Sequence, residues 1–121
     1  MHNGHLRWLI PDGYLPPISS GDLISHEAVC VLNTGQEDAM IAITVYFENR
    51  DPIEFKDMIC KAKRTNHIRM DLLQDGKFGT IPKGVPYALE LVSSVPVFIQ
   101  FSRLDSTQPA LALFTTMAFP V

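Results

Sequence analysis

"MIAITVYFE", residues 40–48, decides the fold class. Ile41, Ile43, Val45 and Phe47 fall on one side of an extended chain, and Met40, Ala42, Thr44 and Tyr46 fall on the other. Side chains alternate across a strand with a period of two, so this is the spacing of a strand with one buried face. β-branched and aromatic residues dominate it, as a pleated, half-buried surface prefers. A helix would instead repeat its apolar residues at three- and four-residue intervals.

The same alternation extends outward in both directions. In "ISHEAVCVLN" (24–33), Ile24, His26, Ala28, Cys30 and Leu32 share one face, and Ser25, Glu27, Val29, Val31 and Asn33 share the other. In "VPVFIQFSRLD" (95–105), Val95, Val97, Ile99 and Phe101 lie opposite Phe98, Gln100 and Ser102. "LRWLI" (6–10), "YALELVSS" (87–94) and "LALFTTMAF" (111–119) read as further strands. "PDGYLPPISSGD" (11–22) predicts a loop, "NTGQED" (33–38) and "ENRDP" (48–52) predict turns, and "QDGKFGTIPKGVP" (74–86) predicts a longer polar connection. "EFKDMICKA" (54–62) supports two readings: a helical stripe of Phe55, Met58, Ile59 and Ala62, or a strand with Met58, Cys60 and Ala62 inward. Residues 63–71 favour the strand, with Lys63, Thr65, His67, Arg69 and Asp71 on one face and Ile68, Met70 and Leu72 on the other. Short strands with turns between them imply an all-β chain of about eight strands, a sandwich or a barrel.

The totals agree with one domain over residues 1–121. An apolar content of 46% excludes a disordered chain. A net charge of -3 argues against general attraction to nucleic acid, so any basic surface must be local. No apolar run approaches the ~18 residues of a membrane helix. The N-terminal "MHNGHLRWLIPDGY" is too short in its apolar run for a signal peptide, and a soluble cytoplasmic protein is expected. Cys30 and Cys60 form no CxxC motif and sit at inward positions of apolar strands, so both are expected as reduced core thiols.

Catalytic patterns are missing. "HEAVC" (26–30) begins like a zinc-protease motif but lacks the second histidine, and on a strand His26 and Glu27 point to opposite faces. They read as a structural histidine and a solvated glutamate. His67 and Asp71 would lie ~13 Å apart on a strand, too far to share a metal. No GxSxG, Walker A, GxGxxG or paired-cysteine spacing occurs. No catalytic residue, metal or cofactor is therefore expected, and the chain does not read as an enzyme.

Two polar clusters remain. "KAKRTNHIRMDLL" (61–73) places Lys61, Lys63, Arg64, His67 and Arg69 within nine residues, including four of the ten lysines and arginines. It reads either as a partner-binding face or as the solvated side of a strand whose charges guard an edge. "SRLDSTQP" (102–109) brings Arg103, Asp105 and Gln108 together at a strand end. That cluster suits a small polar ligand, or a turn in which Asp105 accepts backbone N–H groups.

These segments carry a likeness. "PDGYLPP" (11–17), "ISHEAVCVLNTGQEDA" (24–39), "ITVYFENRDP" (43–52), "KAKRTNHIRMDLL" (61–73), "SSVPVFIQFSRLDSTQ" (93–108) and "LALFTTMAF" (111–119) resemble, in order, the sensory rhodopsin transducer family. "ISHEAVCVLN" and "RLDSTQ" are the most specific. The resemblance implies a β-sandwich of jelly-roll character and a homo-oligomer, typically a tetramer. It implies a non-catalytic signalling adaptor that docks on the cytoplasmic face of a membrane photoreceptor. It also brings DNA contact, and a likeness to carbohydrate-binding modules, as alternative expectations. "QDGKFGTIPKG" (74–84) departs from the family pattern.

Overall fold

The computed structural model describes residues 4–121; the first three residues of the N-terminal stretch lie outside it. Among the described residues eight strands follow one another: β1 (His5–Tyr14), β2 (His26–Asn33), β3 (Ala39–Phe47), β4 (Ile53–Cys60), β5 (Arg64–Arg69), β6 (Pro86–Asp105), β7 (Ala112–Met117) and β8 (Phe119–Pro120). The one helical element among the described residues is a 3-10 turn, Met70–Leu72.

All strand pairs are antiparallel. The first half of β6 lies between β3 and β1, in the order β4-β3-β6-β1-β8. Its second half lies between β2 and β7, with β5 beyond β2. β6 thus belongs to both half-sheets and ties the eight strands into one open sheet. The two halves share one core: Ile41, Ile43, Val45, Leu89 and Leu91 from the first, and Val29, Val31, Ile99 and Phe101 from the second. This is the all-β sandwich that the alternation implies.

Residues 87–105 are one continuous strand rather than two. Its pairing with β1 jumps from Arg7 opposite Val92 to His5 opposite Val97, so Ser93–Pro96 is the crossover between halves. Pro96 offers no N–H, and an irregular stretch is where a strand tolerates that. The Trp8 indole N–H reaches the carbonyls of Val97 (3.2 Å) and His5 (3.1 Å) and pins the crossover.

The ambiguous segment 54–62 is a strand with a bulge. Ile41 lies opposite Met58 but Ile43 lies opposite Phe55, which leaves one extra residue on β4. Asp57 takes it up at φ 63. The bulge switches parity, so Ile53 and Phe55 are buried before it and Cys60 after it. The three-residue step from Phe55 to Met58, which imitates a helical stripe, is the mark of this bulge.

Three expectations are corrected. β1 runs through Tyr14, into the predicted loop, with a register shift between Ile10 and Gly13. Gly13 passes over the Tyr87 ring, where an added Cβ would lie 2.3 Å from a ring carbon. Lys61–Lys63 form the β4–β5 turn, with Lys63 at φ 58, and Met70–Leu72 leave the strand, so residues 63–71 are not one face. Leu72 points outward and is exposed. On β2, Val29 and Val31 take the core side, as the more apolar, β-branched pair. Parity then forces Glu27 and Asn33 inside with them and leaves Cys30 on the outer face, half-buried. Glu27 is not solvated. Both cysteines are free, and Cys60 alone is fully buried.

Candidate functional site

Glu27 is enclosed completely, yet each carboxylate oxygen has a donor. Oε1 accepts the Tyr14 backbone N–H at 2.9 Å and the Tyr87 hydroxyl; Oε2 accepts the Arg103 Nε–H. Glu27 and Arg103 stand directly opposite one another on β2 and β6, and Phe114 stands opposite Arg103 on β7. The Arg103 guanidinium lies 5.2 Å from the Phe114 ring centre. Its Nη2 comes to 3.9 Å from Asp12, a weak contact to an exposed carboxylate. Three strands, β1, β2 and β6, therefore converge on one carboxylate, and a fourth, β7, supplies the ring beside its arginine.

The electrostatics follow from the enclosure. Burial pushes the Glu27 carboxyl above the ordinary glutamate range, against the lowering pull of Tyr87, Tyr14 and Arg103. Burial, and the neighbouring Glu27, drive the Tyr87 phenol far upward, so it stays a hydrogen-bond donor. Arg103 is mostly covered and its Nε is committed to Glu27, whereas its Nη2 is buried without a hydrogen-bond partner among the described residues; the cluster braces the sheet end and holds Arg103 in place.

Asp105 and Gln108 do not join Arg103. Asp105 Oδ1 accepts the Thr107 N–H (2.9 Å) and hydroxyl (2.6 Å), and these bonds hold its carboxyl below the ordinary aspartate range. Gln108 Oε1 accepts the Ala110 N–H at 2.7 Å. Both shape the β6–β7 turn. Ser106, which is fully buried, anchors that turn to the β1–β2 loop through the Ser25 hydroxyl and the Leu23 carbonyl.

The basic stretch divides in the same way. Lys61, Lys63 and Arg64 are exposed at the β4–β5 turn, and His67 is exposed on the outer face of β5. Lys63 Nζ donates to the Thr34 carbonyl at 2.9 Å, which fastens this turn to the β2–β3 turn. Arg69 forks onto Asp71 through two bonds, at 2.9 and 2.6 Å, which raises its pKa further. The free basic surface is thus the turn and the edge strand, without Arg69.

Among the described residues, no group of three or more His, Cys, Asp or Glu side chains is placed to hold a metal. No helix among them is long and apolar enough to cross a membrane. Glu27 is the central residue that the reading of the sequence misplaced. The signal was present, since Glu27 shares the parity of Val29 and Val31.

The family described as "Anabaena sensory rhodopsin transducer" matches residues 3–120. The chain is similar to the solved structure titled "Crystal Structure of Thermotoga maritima 1070", with 39% identity and a TM-score of 0.88 over 99% of this chain and 97% of that one. It is also similar to the structure of the Anabaena sensory rhodopsin transducer, with 38% identity and a TM-score of 0.76 over 88% of this chain and 93% of that one. None of the curated proteins compared with the chain matches it. With nearly every described residue inside the match and two folds superposing at this identity, the chain belongs to the Anabaena sensory rhodopsin transducer family.

Proposed function

We propose that this protein is a non-catalytic signalling adaptor that docks, as a homo-oligomer, on the cytoplasmic face of a membrane receptor of the sensory rhodopsin type. The family match over residues 3–120 is the observation that carries the reading. The exposed basic group Lys61, Lys63, Arg64 and His67 supports a docking surface, because local charge steers an acidic partner even when net charge is -3. A homo-oligomer, a tetramer by family resemblance, would repeat this surface and bind with avidity. β7 supports assembly: it is an edge strand, all six of its residues are exposed, and Leu113, Phe114 and Met117 are among them.

The test is a calorimetric titration against a detergent-solubilised microbial sensory rhodopsin, dark and illuminated, and against duplex DNA, each at two salt concentrations. Lys61→Glu with Arg64→Glu should weaken receptor binding at least tenfold at low salt and leave the fold intact, since exposed substitutions cost within about 0.5 kcal/mol. Undiminished receptor binding by the double variant would reduce the basic end to a solvated turn. Binding to DNA with none to the receptor would replace the adaptor reading by a regulator of nucleic acid.

A further inference from the structure

Four strands among the described residues have a single ladder partner: β4, β5, β7 and β8. A free strand edge is a row of unpaired N–H and C=O groups, and most proteins blunt it. β8 is two residues long and ends in Pro120. β4 is bulged at Asp57, which breaks its register. β7 is the strand assigned above to contact between copies, and it carries no charged side chain. β5 differs from all three. Six successive pairs join it to β2 with no register shift, and it contains neither proline nor glycine.

We propose that β5 takes up an extended, acidic segment of a partner protein as an added strand, bonded through the main chain to its open edge. The proposal rests on the reading of the basic end as a docking surface and states how the partner is held. The phase of the ladder shows which groups are free. The Ile99 carbonyl accepts the Ala118 N–H at 3.2 Å, so Ile99 turns its main-chain groups toward the β7 side of β6. Main-chain groups point to alternate sides along a strand, so Gln100 bonds Cys30 on β2, and Val29 and Val31 turn theirs toward β5. The Thr65 hydroxyl, which donates to the Val31 carbonyl at 3.1 Å, agrees with that phase. Arg64, Asn66 and Ile68, which stand opposite Asn33, Val31 and Val29, therefore bond to β2. Thr65, His67 and Arg69 turn their N–H and C=O groups to the open side.

The charges select the partner. Arg64 and His67 are exposed on β5, and Lys61 and Lys63 stand on the turn before it. A second copy's β5 would bring its own cations to this edge, and like charges across a ladder oppose pairing. A neutral strand gains nothing from them. Acidic side chains are the complement. They belong beside Arg64 and the turn, because Arg69 at the other end is already forked onto Asp71. Main-chain bonds give such an added strand its affinity, and the side chains beside it give the specificity. A segment of about six residues, the usual length of a strand, covers the whole edge.

The experiment titrates the isotopically labelled full chain with a capped, proline-free peptide of about six residues, glutamate-rich in one half and built of valine and threonine in the other, and follows the main-chain amides by NMR. The amides of Thr65, His67 and Arg69 should become protected from exchange, while those of Asn66 and Ile68, already bonded to β2, stay as they were. Methylating the peptide nitrogens of one parity should abolish binding, and methylating those of the other should spare it. Lysine in place of glutamate should also abolish it. His67→Pro removes one outward N–H and leaves the β2 ladder intact, which an edge strand tolerates. It should bind the peptide about tenfold more weakly than His67→Ala, the effect of one lost main-chain hydrogen bond. If circular dichroism shows His67→Pro unfolded, the two methylated peptides on the parent chain decide. No peptide binding by the parent, equal effects of the two methylations, or folded His67→Pro binding as tightly as His67→Ala would each overturn the proposal. The adaptor reading fails or stands separately. A receptor bound through Lys61 and Arg64 with no peptide bound removes the added strand alone, and a peptide bound with no receptor removes the adaptor alone.

Discussion

Glu27 is both charged in kind and enclosed, and its three donors are what make that tolerable. A buried carboxylate without partners would simply protonate, whereas one with a full set of hydrogen bonds can keep its place in the sheet. Glu27→Ala leaves the Tyr87 hydroxyl and the Arg103 guanidinium without their acceptor. It should destabilise the fold by about 3 kcal/mol, the low end for breaking a buried pair, because Arg103 retains some exposure. The pH dependence has a defined sign. The folded pKa of Glu27 is raised above the ordinary 4.5, so its favourable contribution is complete below that value and is lost as pH rises through the folded pKa. Glu27→Gln lacks this dependence. The stability gap between parent and Gln variant, measured by urea unfolding, should therefore narrow between pH 4.5 and pH 7; a gap that widens would show that the Arg103 pairing outweighs the burial. The sequence displayed Glu27 on the parity of two valines, but the usual rule that a lone glutamate is solvated prevailed. Nothing local pointed to Tyr87 and Arg103, which are 60 and 76 residues away and meet it only through the β2–β6 register.

At the scale of single elements, β3 and β6 were the most legible, because their alternation is unbroken and their buried residues are those of odd number. β4 was the least legible. Its bulge at Asp57 shifts parity in mid-strand, and a period-two pattern interrupted by one residue looks locally like a period of 3.6. The basic stretch was misread as one face for a related reason: a turn with a left-handed residue at Lys63 and a 3-10 turn at Met70 each end the alternation without a glycine or proline to announce it. β7 differs from both. As an edge strand it is exposed on its two faces, which is an arrangement a solitary chain has reason to avoid. Leu113 is 75% exposed, so Leu113→Asp should leave monomer stability within about 0.5 kcal/mol of the parent. If β7 is the contact between copies, the same change should lower the mass measured by light scattering at micromolar concentration to that of one chain. An unchanged oligomer mass would place the contact elsewhere.

For the whole molecule the determining feature is β6, whose sequence reads as two strands, 87–94 and 95–105. Since its two halves are one strand, the two half-sheets share an interior strand. Unfolding should accordingly be a single transition: the fluorescence of Trp8, which is buried against the crossover, and the β signal in circular dichroism should give the same urea midpoint. Separated midpoints would mean that the halves are independent units. The sandwich class itself was legible from alternation alone, whereas the sharing of β6 was not, because hydrogen-bond partners leave no trace in the spacing of residues. The arrangement also restricts how the chain can change length. Tyr87, Leu89, Leu91 and Ser93 face the core before the crossover, and Val97, Ile99 and Phe101 face it afterwards, all at odd positions. Adding or removing one residue between Ser93 and Val97 would turn every following side chain of β6 to the opposite surface, placing Gln100 inside and Phe101 in water. Natural relatives should therefore vary in length in the connections at 15–25 and 73–85 and hold β6 to a constant count, so that this strand serves as the fixed ruler against which the rest of the chain is free to drift.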